Sequence, residues 1–230
     1  MDQVFKRLVQ LGFRGGLRGV LLVGRLIYGM EIQGREQLPA QGPFIIVGRH
    51  TSRVDFFGTA FTLTAFGEIQ YLTAALTRGN ARLRSRLGRV VGALPLFKEK
   101  GMTAPSLMEL YKTLQQGKIV SLMSNEMSWD GRTPMPMPGA AWLALRTGAP
   151  VIAVGGWGGY DIWPRWARYP HLTGKLVMRI GKPFYLCEKP PYRVTAQMLH
   201  DASLRIKAEL EVVSSGCPRT YTTARSSPQI

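Results

Sequence analysis

Gly42-Pro43-Phe44-Ile45-Ile46-Val47-Gly48-Arg49-His50-Thr51-Ser52-Arg53-Val54-Asp55 is the stretch on which the reading of this chain turns. An unbroken apolar run rich in β-branched residues, entered through Gly-Pro, indicates a buried strand ending near Gly48. His50 then stands at the strand's exit. Thr51 or Ser52 is suited to cap a helix expected to run to about Phe66. Asp55 falls in its first turn, where a carboxylate favours the positive end of the helix dipole. Such a turn folds Asp55 back toward His50. An imidazole held by a carboxylate on one nitrogen keeps the other free to accept a proton, and the carboxylate stabilises the imidazolium that forms. The pair is a candidate device for making a hydroxyl nucleophilic. The competing reading is that Asp55 only caps a helix.

Working outward, a short strand is expected at Met30 to Gln33, a basic helix over residues 78–90, and a strand at about Ala93 to Phe97. From Ala104 to Gln116, Leu107, Leu110, Tyr111 and Leu114 recur at helical spacing. Pro105 suits the first turn of that helix and Gly117 its C-terminal cap. A strand at Ile119 to Met123 follows, then a helix from Gly139 to Thr147 stopped by Gly148, and a buried strand at Val151 to Val154. Leu176 to Ile180 reads as a further strand and Thr195 to Val213 as a final helix. This alternation predicts an α/β fold: one domain, a largely parallel central sheet flanked by helices, and functional loops at strand ends. The expected division is an amphipathic basic helix over residues 1–30, a body over 31–213 and a polar tail over 214–230. No internal repeat is present.

The balance of 30 Lys and Arg against 14 Asp and Glu gives a net charge of +16, which favours a polyanionic partner: nucleic acid, an anionic membrane surface or phosphorylated substrates. In the first segment, Arg7, Arg14, Arg18 and Arg25 fall on one stripe within about 20° of Arg7 at 100° per residue, with apolar residues around the remainder. A helix of that kind lies in a membrane interface or packs on the core, and one helix can do both on different sides. Arginines interrupt every apolar stretch there, so neither a signal peptide nor a bilayer span is expected. Cys187 and Cys217 lack the paired spacing of a zinc site, and a reduced compartment is the simple expectation. No Gly-x-Ser-x-Gly elbow or glycine-rich phosphate loop accompanies the histidine, which argues against a serine hydrolase or a phosphate-loop protein. Trp157, Tyr160, Trp163 and Trp166 beside Arg165 and Arg168 form an aromatic and basic patch suited to a membrane interface or to stacking on single-stranded nucleic acid.

The strand at Ile119 to Met123 leads into the polar loop Ser124-Asn125-Glu126-Met127-Ser128-Trp129-Asp130-Gly131. HxxxxD after one strand and this loop after another are followed by Pro138-Gly139-Ala140 and Thr147-Gly148-Ala149-Pro150-Val151-Ile152. With these features in this order, the chain from about Glu31 to Phe184 resembles the glycerolipid acyltransferases of the 1-acylglycerol-3-phosphate or lysophospholipid acyltransferase type. Gly34-Arg35-Glu36-Gln37-Leu38-Pro39 is also similar to that family's lead-in to its catalytic strand. The resemblance implies His50 as the general base that takes a proton from an acceptor hydroxyl, with Asp55 orienting it. Asn125, Glu126 and Ser128 would position the acceptor, and Gly148 and Pro150 would shape the acyl or acceptor pocket. The donor would be acyl-CoA or acyl carrier protein, used as a co-substrate, with no metal and no other cofactor. Accepting one proton and aligning a hydroxyl against a thioester requires little beyond a tuned imidazole and hydrogen-bond donors.

The chain departs from the family pattern at three places. Arg49 stands where Asn or Ser usually precedes the histidine. Met127, Ser128 and Trp129 replace the Gly-Thr-Arg that usually follows the glutamate. Lys98 stands for the customary arginine of the block Gly92-Ala93-Leu94-Pro95-Leu96-Phe97-Lys98. Lysine binds a phosphate as a point charge without arginine's bidentate fork, so the losses bear on the acceptor rather than on the chemistry at His50. Trp129 suits a sugar, an apolar headgroup, a lipid tail or plain packing. The expected protein is an O-acyltransferase at the cytoplasmic face of a membrane, peripheral or monotopic, with anionic lipids, an acyl donor and a lipid acceptor as partners. The alternative is a basic binding module for nucleic acid or membrane without catalysis, and nucleic acid is the less expected partner.

Overall fold

The computed structural model describes residues 3–49, 52–55, 57–58, 61, 69–73, 93–95, 104–123, 137–164 and 167–215. In chain order these form α1 (Gln3–Tyr28), β1 (Glu31–Gln33), a 3-10 turn (Arg35–Gln37), β2 (Ile45–Gly48) and a second 3-10 turn (Arg53–Asp55). Next come β3 (Ile69–Thr73), β4 (Ala93–Pro95), α2 (Ala104–Gln115), β5 (Ile119–Met123) and α3 (Pro138–Thr147). The chain continues through β6 (Val151–Trp157), the short α4 (Gly159–Ile162), β7 (Val177–Ile180) and α5 (Ala196–Ser214).

The strands make one sheet in the order β1-β7-β6-β2-β5-β3-β4, parallel throughout except for the antiparallel β6–β7 pair. β2 lies near the middle, with Ile45 opposite Val120 of β5 on one side and Val151 of β6 on the other. A strand paired on both edges and covered on both faces can be apolar at every position, which is why Ile45, Ile46, Val47 and Gly48 are all buried.

Alternate β2 residues serve two different layers. Ile45 and Val47, with Val120, Leu122, Val151 and Ala153, pack beneath Leu110 and Leu114 of α2, Leu143 of α3 and Ile206 and Leu210 of α5. Ile46, with Ile152, Met178 and Ile180, turns to the other face, where Leu17 and Leu21 of α1 pack. The helices that cover the first face stop where their sequences dictate. Gly148 ends α3 at φ 68°, its N–H donating to the Ala144 carbonyl at 2.8 Å, and Thr195 caps α5 by accepting the Met198 N–H at 3.2 Å.

The elements expected at Met30–Gln33, Ala104–Gln116, Ile119–Met123, Gly139–Thr147 and Thr195–Val213 are present to within about two residues. β3 was not anticipated: Ile69-Gln70-Tyr71-Leu72-Thr73 has only five residues with which to signal a strand, close behind a segment expected to be helical. β6 also runs three residues past its expected end at Val154, through Gly155-Gly156 to Trp157. A Cβ at Gly156 would overlap the Val177 carbonyl, so here glycine admits the neighbouring strand instead of ending its own. The expected basic helix at 78–90, the helix beyond Phe61 and the tail from 216 lie outside the described residues.

α1 meets the body along one side through Leu17, Val20, Leu21, Gly24 and Tyr28, while Leu11, Leu22, Val23, Leu26 and Ile27 are exposed. Among the described residues, no helix is long and apolar enough to cross a membrane.

Leu143 is fully buried where α3 meets the first face. Leu143→Ala removes its packing and leaves a cavity, at an expected cost of about 2–5 kcal/mol. Urea unfolding should show a lower midpoint with an unchanged slope. An unchanged midpoint would contradict this packing.

Candidate active site

Asp55 lies in the 3-10 turn just beyond β2, and Ser52 holds it there. The Ser52 backbone N–H donates to Asp55 Oδ2 at 3.0 Å and its hydroxyl donates to Oδ1 at 2.8 Å. Ser52 is fully buried. The backbone bond is half of a capping box, in which a side chain three residues into a helix reaches back to the capping N–H. Val54, buried in one cluster with Phe57 and Ile162, anchors the same turn.

The turn borders a cavity of about 740 Å³, counting the space at its mouth. Ile46 and Gly48 of β2, Ser121 and Met123 of β5, Val154 and Gly156 of β6 and Met178 of β7 share one face of the sheet and form its floor. Met30, Phe57 and Leu176 also line it, and Arg49, Asp55 and Ser121 contribute polar groups to its wall. Small residues make the room. A Cβ at Gly48 would collide with the Met123 sulfur, and one at Gly24 of α1 would come within 2.8 Å of the Phe57 ring. The floor lies toward the C-terminal ends of β2, β5 and β6, where open α/β sheets place their ligands.

Two titratable groups of α4, next to the cavity, are partly desolvated. Desolvation raises the Asp161 carboxyl above its usual range. Burial, then the charge of Asp161, raises the Tyr160 phenol. On the sheet edge, Lys175 lies 2.6 Å from Glu31 and lowers its carboxyl by hydrogen bond and charge.

Of the residues singled out in the sequence, Asp55 lies at the cavity, with both carboxylate oxygens bonded to Ser52. His50, Lys98, Asn125, Glu126 and Ser128 lie outside the described residues. Gly148 and Pro150 are not brought to this cavity. Gly148 ends α3 against Pro190, and the Pro150 carbonyl accepts the Ile45 N–H at 2.9 Å, at the start of β2 rather than its end. Their spacing before a strand carries their structural role: one stops a helix and the other starts β6 in register. Ser52 was expected only as a helix cap. Its spacing of three before Asp55 was the signal for the contact. Gly159 and Trp163, which back the turn, carried no such signal.

With β2, its following turn and β6 placed around one cavity, the agreement with known proteins falls on these same elements. The Acyltransferase family matches residues 29–157, more than half of the chain, and the chain belongs to that family. Its fold is similar to the crystal structure of the 1-acyl-sn-glycerophosphate (LPA) acyltransferase PlsC from Thermotoga maritima. The TM-score is 0.61 at 20% identity, covering 85% of this chain and 78% of that one. Comparison with curated proteins gives no match.

Gly156 tests the wall shared by β6 and β7. Gly156→Ala pushes a methyl into the Val177 carbonyl, and backbone on both sides leaves little room to relax. The expected cost is about 1–3 kcal/mol, read as a fall in denaturation midpoint. Stability equal to wild type would contradict the close approach of these strands.

Proposed function

We propose that this protein transfers a fatty acyl group from an acyl thioester to a hydroxyl of a lysophospholipid or related lipid acceptor. One observation carries the reading within the acyltransferase family: Asp55, clamped by Ser52, is one of few polar groups on a cavity otherwise walled by Met30, Ile46, Phe57, Val154, Leu176 and Met178. A long aliphatic chain fits such walls by the same apolar burial that builds a core, gaining about 0.8 kcal/mol per buried CH₂.

In the proposed reaction His50 accepts the acceptor's hydroxyl proton as the oxygen bonds to the thioester carbon, with Asp55 orienting the imidazole and offsetting its new charge. The carbon–sulfur bond then breaks, and the imidazolium returns the proton to the departing thiolate. The donor is acyl-CoA or acyl carrier protein, and the chain's own residues supply the proton handling without a metal. Glu126, Ser128, Asn125 and Lys98 remain the proposed acceptor contacts.

A membrane site is part of the proposal. The outer side of α1 presents Leu11, Leu22, Val23, Leu26 and Ile27 beside exposed Arg18 and Arg25, and the whole chain carries +16. Apolar side chains among cations suit the interface of an anionic bilayer, and the proposed place is its cytoplasmic face, with the protein peripheral or monotopic.

The deciding assay incubates purified protein in anionic vesicles with labelled acyl-CoA or acyl carrier protein and a panel of lysophospholipids and glycolipids. Wild type should transfer label, and His50→Ala should lower the rate by about 10²–10⁴-fold. Transfer that survives His50→Ala would reject the base. No transfer across the panel, with tight salt-sensitive nucleic-acid binding, would favour the binding-module reading instead.

The membrane surface has its own check. Leu26 is 76% exposed and Leu22 56% exposed, so Leu22→Ser with Leu26→Ser should leave the melting temperature unchanged while weakening sedimentation with anionic vesicles. Undiminished sedimentation would remove α1 from the membrane contact.

A further inference from the structure

The chain just past the end of the family match returns to the Asp55 turn and touches it at three places. Gly159, the first residue of α4, is buried against Ser52: a Cβ there would enter the space of Ser52 Oγ and lie 3.0 Å from Val54 Cγ2. The Trp163 carbonyl accepts the Arg53 N–H at 3.1 Å, and the Arg53 guanidinium sits 5.8 Å from the centre of the Trp163 ring. Ile162, fully buried, packs with Val54 and Phe57.

This backing is itself tied down. Gly158 turns at φ 90° directly against the Lys175 carbonyl, and the Ile162 carbonyl accepts the His171 N–H at 2.7 Å. Trp163 closes its own loop by donating from Nε1 to the Ala167 carbonyl at 3.1 Å. Ser52 is therefore held between the Asp55 carboxylate on one side and an anchored backbone on the other.

A serine side chain has three staggered positions, and only one of them is used to bond Asp55 Oδ1. A methyl at position 159 would compete for the place of that hydroxyl. We infer that Gly159 acts through Ser52 as a positioning residue for Asp55, so that the β6–α4 connection fixes the carboxylate proposed to orient His50. This rests on the acyl-transfer reading given above. Gly159 borders the cavity and Ser52 lies behind it, but in this role each acts by setting where the carboxylate sits.

The test is a double-mutant cycle on the vesicle assay with Gly159→Ala, Ser52→Ala and the pair combined, alongside His50→Ala and Asp55→Asn as controls. Gly159 lies in helical backbone that alanine also adopts, so the first substitution tests space alone. Each single variant is expected to lower kcat by about 10- to 100-fold while KM for the acyl donor stays within about twofold, since a displacement near 1 Å is enough for that loss. Removing the hydroxyl also removes the group that the new methyl displaces. The double variant should therefore lie within about threefold of the worse single variant rather than at the product of the two losses. Should Gly159→Ala alone fail to fold, recovery of folding and of Ser52→Ala-level activity in the double variant supports the same contact.

Wild-type kcat in folded Gly159→Ala or in Ser52→Ala, or losses that simply multiply, would overturn this inference while inactive His50→Ala and Asp55→Asn leave the acyl-transfer reading standing. An inactive wild type, or full activity in both controls, would overturn that reading and this inference with it.

Discussion

Two hydrogen bonds from Ser52 to the Asp55 carboxylate fix the point at which the central strand gives way to the site, and much of the surrounding structure serves to keep them in place. A carboxylate taken out of water is costly unless its oxygens are satisfied, and here one buried serine supplies both a backbone and a side-chain donor. The strand before the turn is locked by pairing on both edges, the turn is pinned by Val54, and the β6–α4 connection closes behind it. Asp55 therefore meets the cavity from a well-braced turn, which is what its proposed role of orienting His50 would call for.

The sheet divides labour between its faces. Residues such as Ile45, Val47 and Val151 fill the space beneath α2, α3 and α5 with close-packed aliphatic side chains. On the other face, Ile46, Val154 and Met178 meet α1 and the neighbouring turns less completely, and the cavity occupies the difference. α1 thus has two partners in its sequence. Leu17, Leu21 and Gly24 answer the body, and Leu22, Val23 and Leu26 face outward. Gly24 sits against Phe57, a lining residue, so the seat of α1 also sets one wall of the cavity.

What the sequence disclosed follows from how local the governing interactions are. β2, β5 and the helix ends at Gly117, Gly148 and Thr195 were legible because a continuous apolar run or a capping residue acts within a few positions. The parallel character of the sheet followed from the alternation of elements, whereas the place of β1 beside β7 depends on a pairing across more than a hundred residues, and the antiparallel β6–β7 pair on the path of the irregular chain between them. Nothing beside Gly156 in the sequence announces the close approach of Val177 that its missing side chain admits. At the site, the His50 and Asp55 spacing pointed to the turn that the structure places at the cavity wall through Asp55. Gly148 and Pro150 read as pocket residues from their order in the chain, yet parallel pairing puts them at the opening end of β2 and β6, a strand's length from Asp55.

The cavity bordered by the Asp55 turn is proposed to hold an acyl chain with its reactive end at that turn. The direct measurement is a crystal structure with a long-chain acyl pantetheine thioether, a non-transferable mimic of the arm common to both proposed donors. The aliphatic chain is expected along Ile46, Val154 and Met178, with its thioether end at the Asp55 turn. A chain bound elsewhere on the protein, leaving these walls uncovered, would contradict the account.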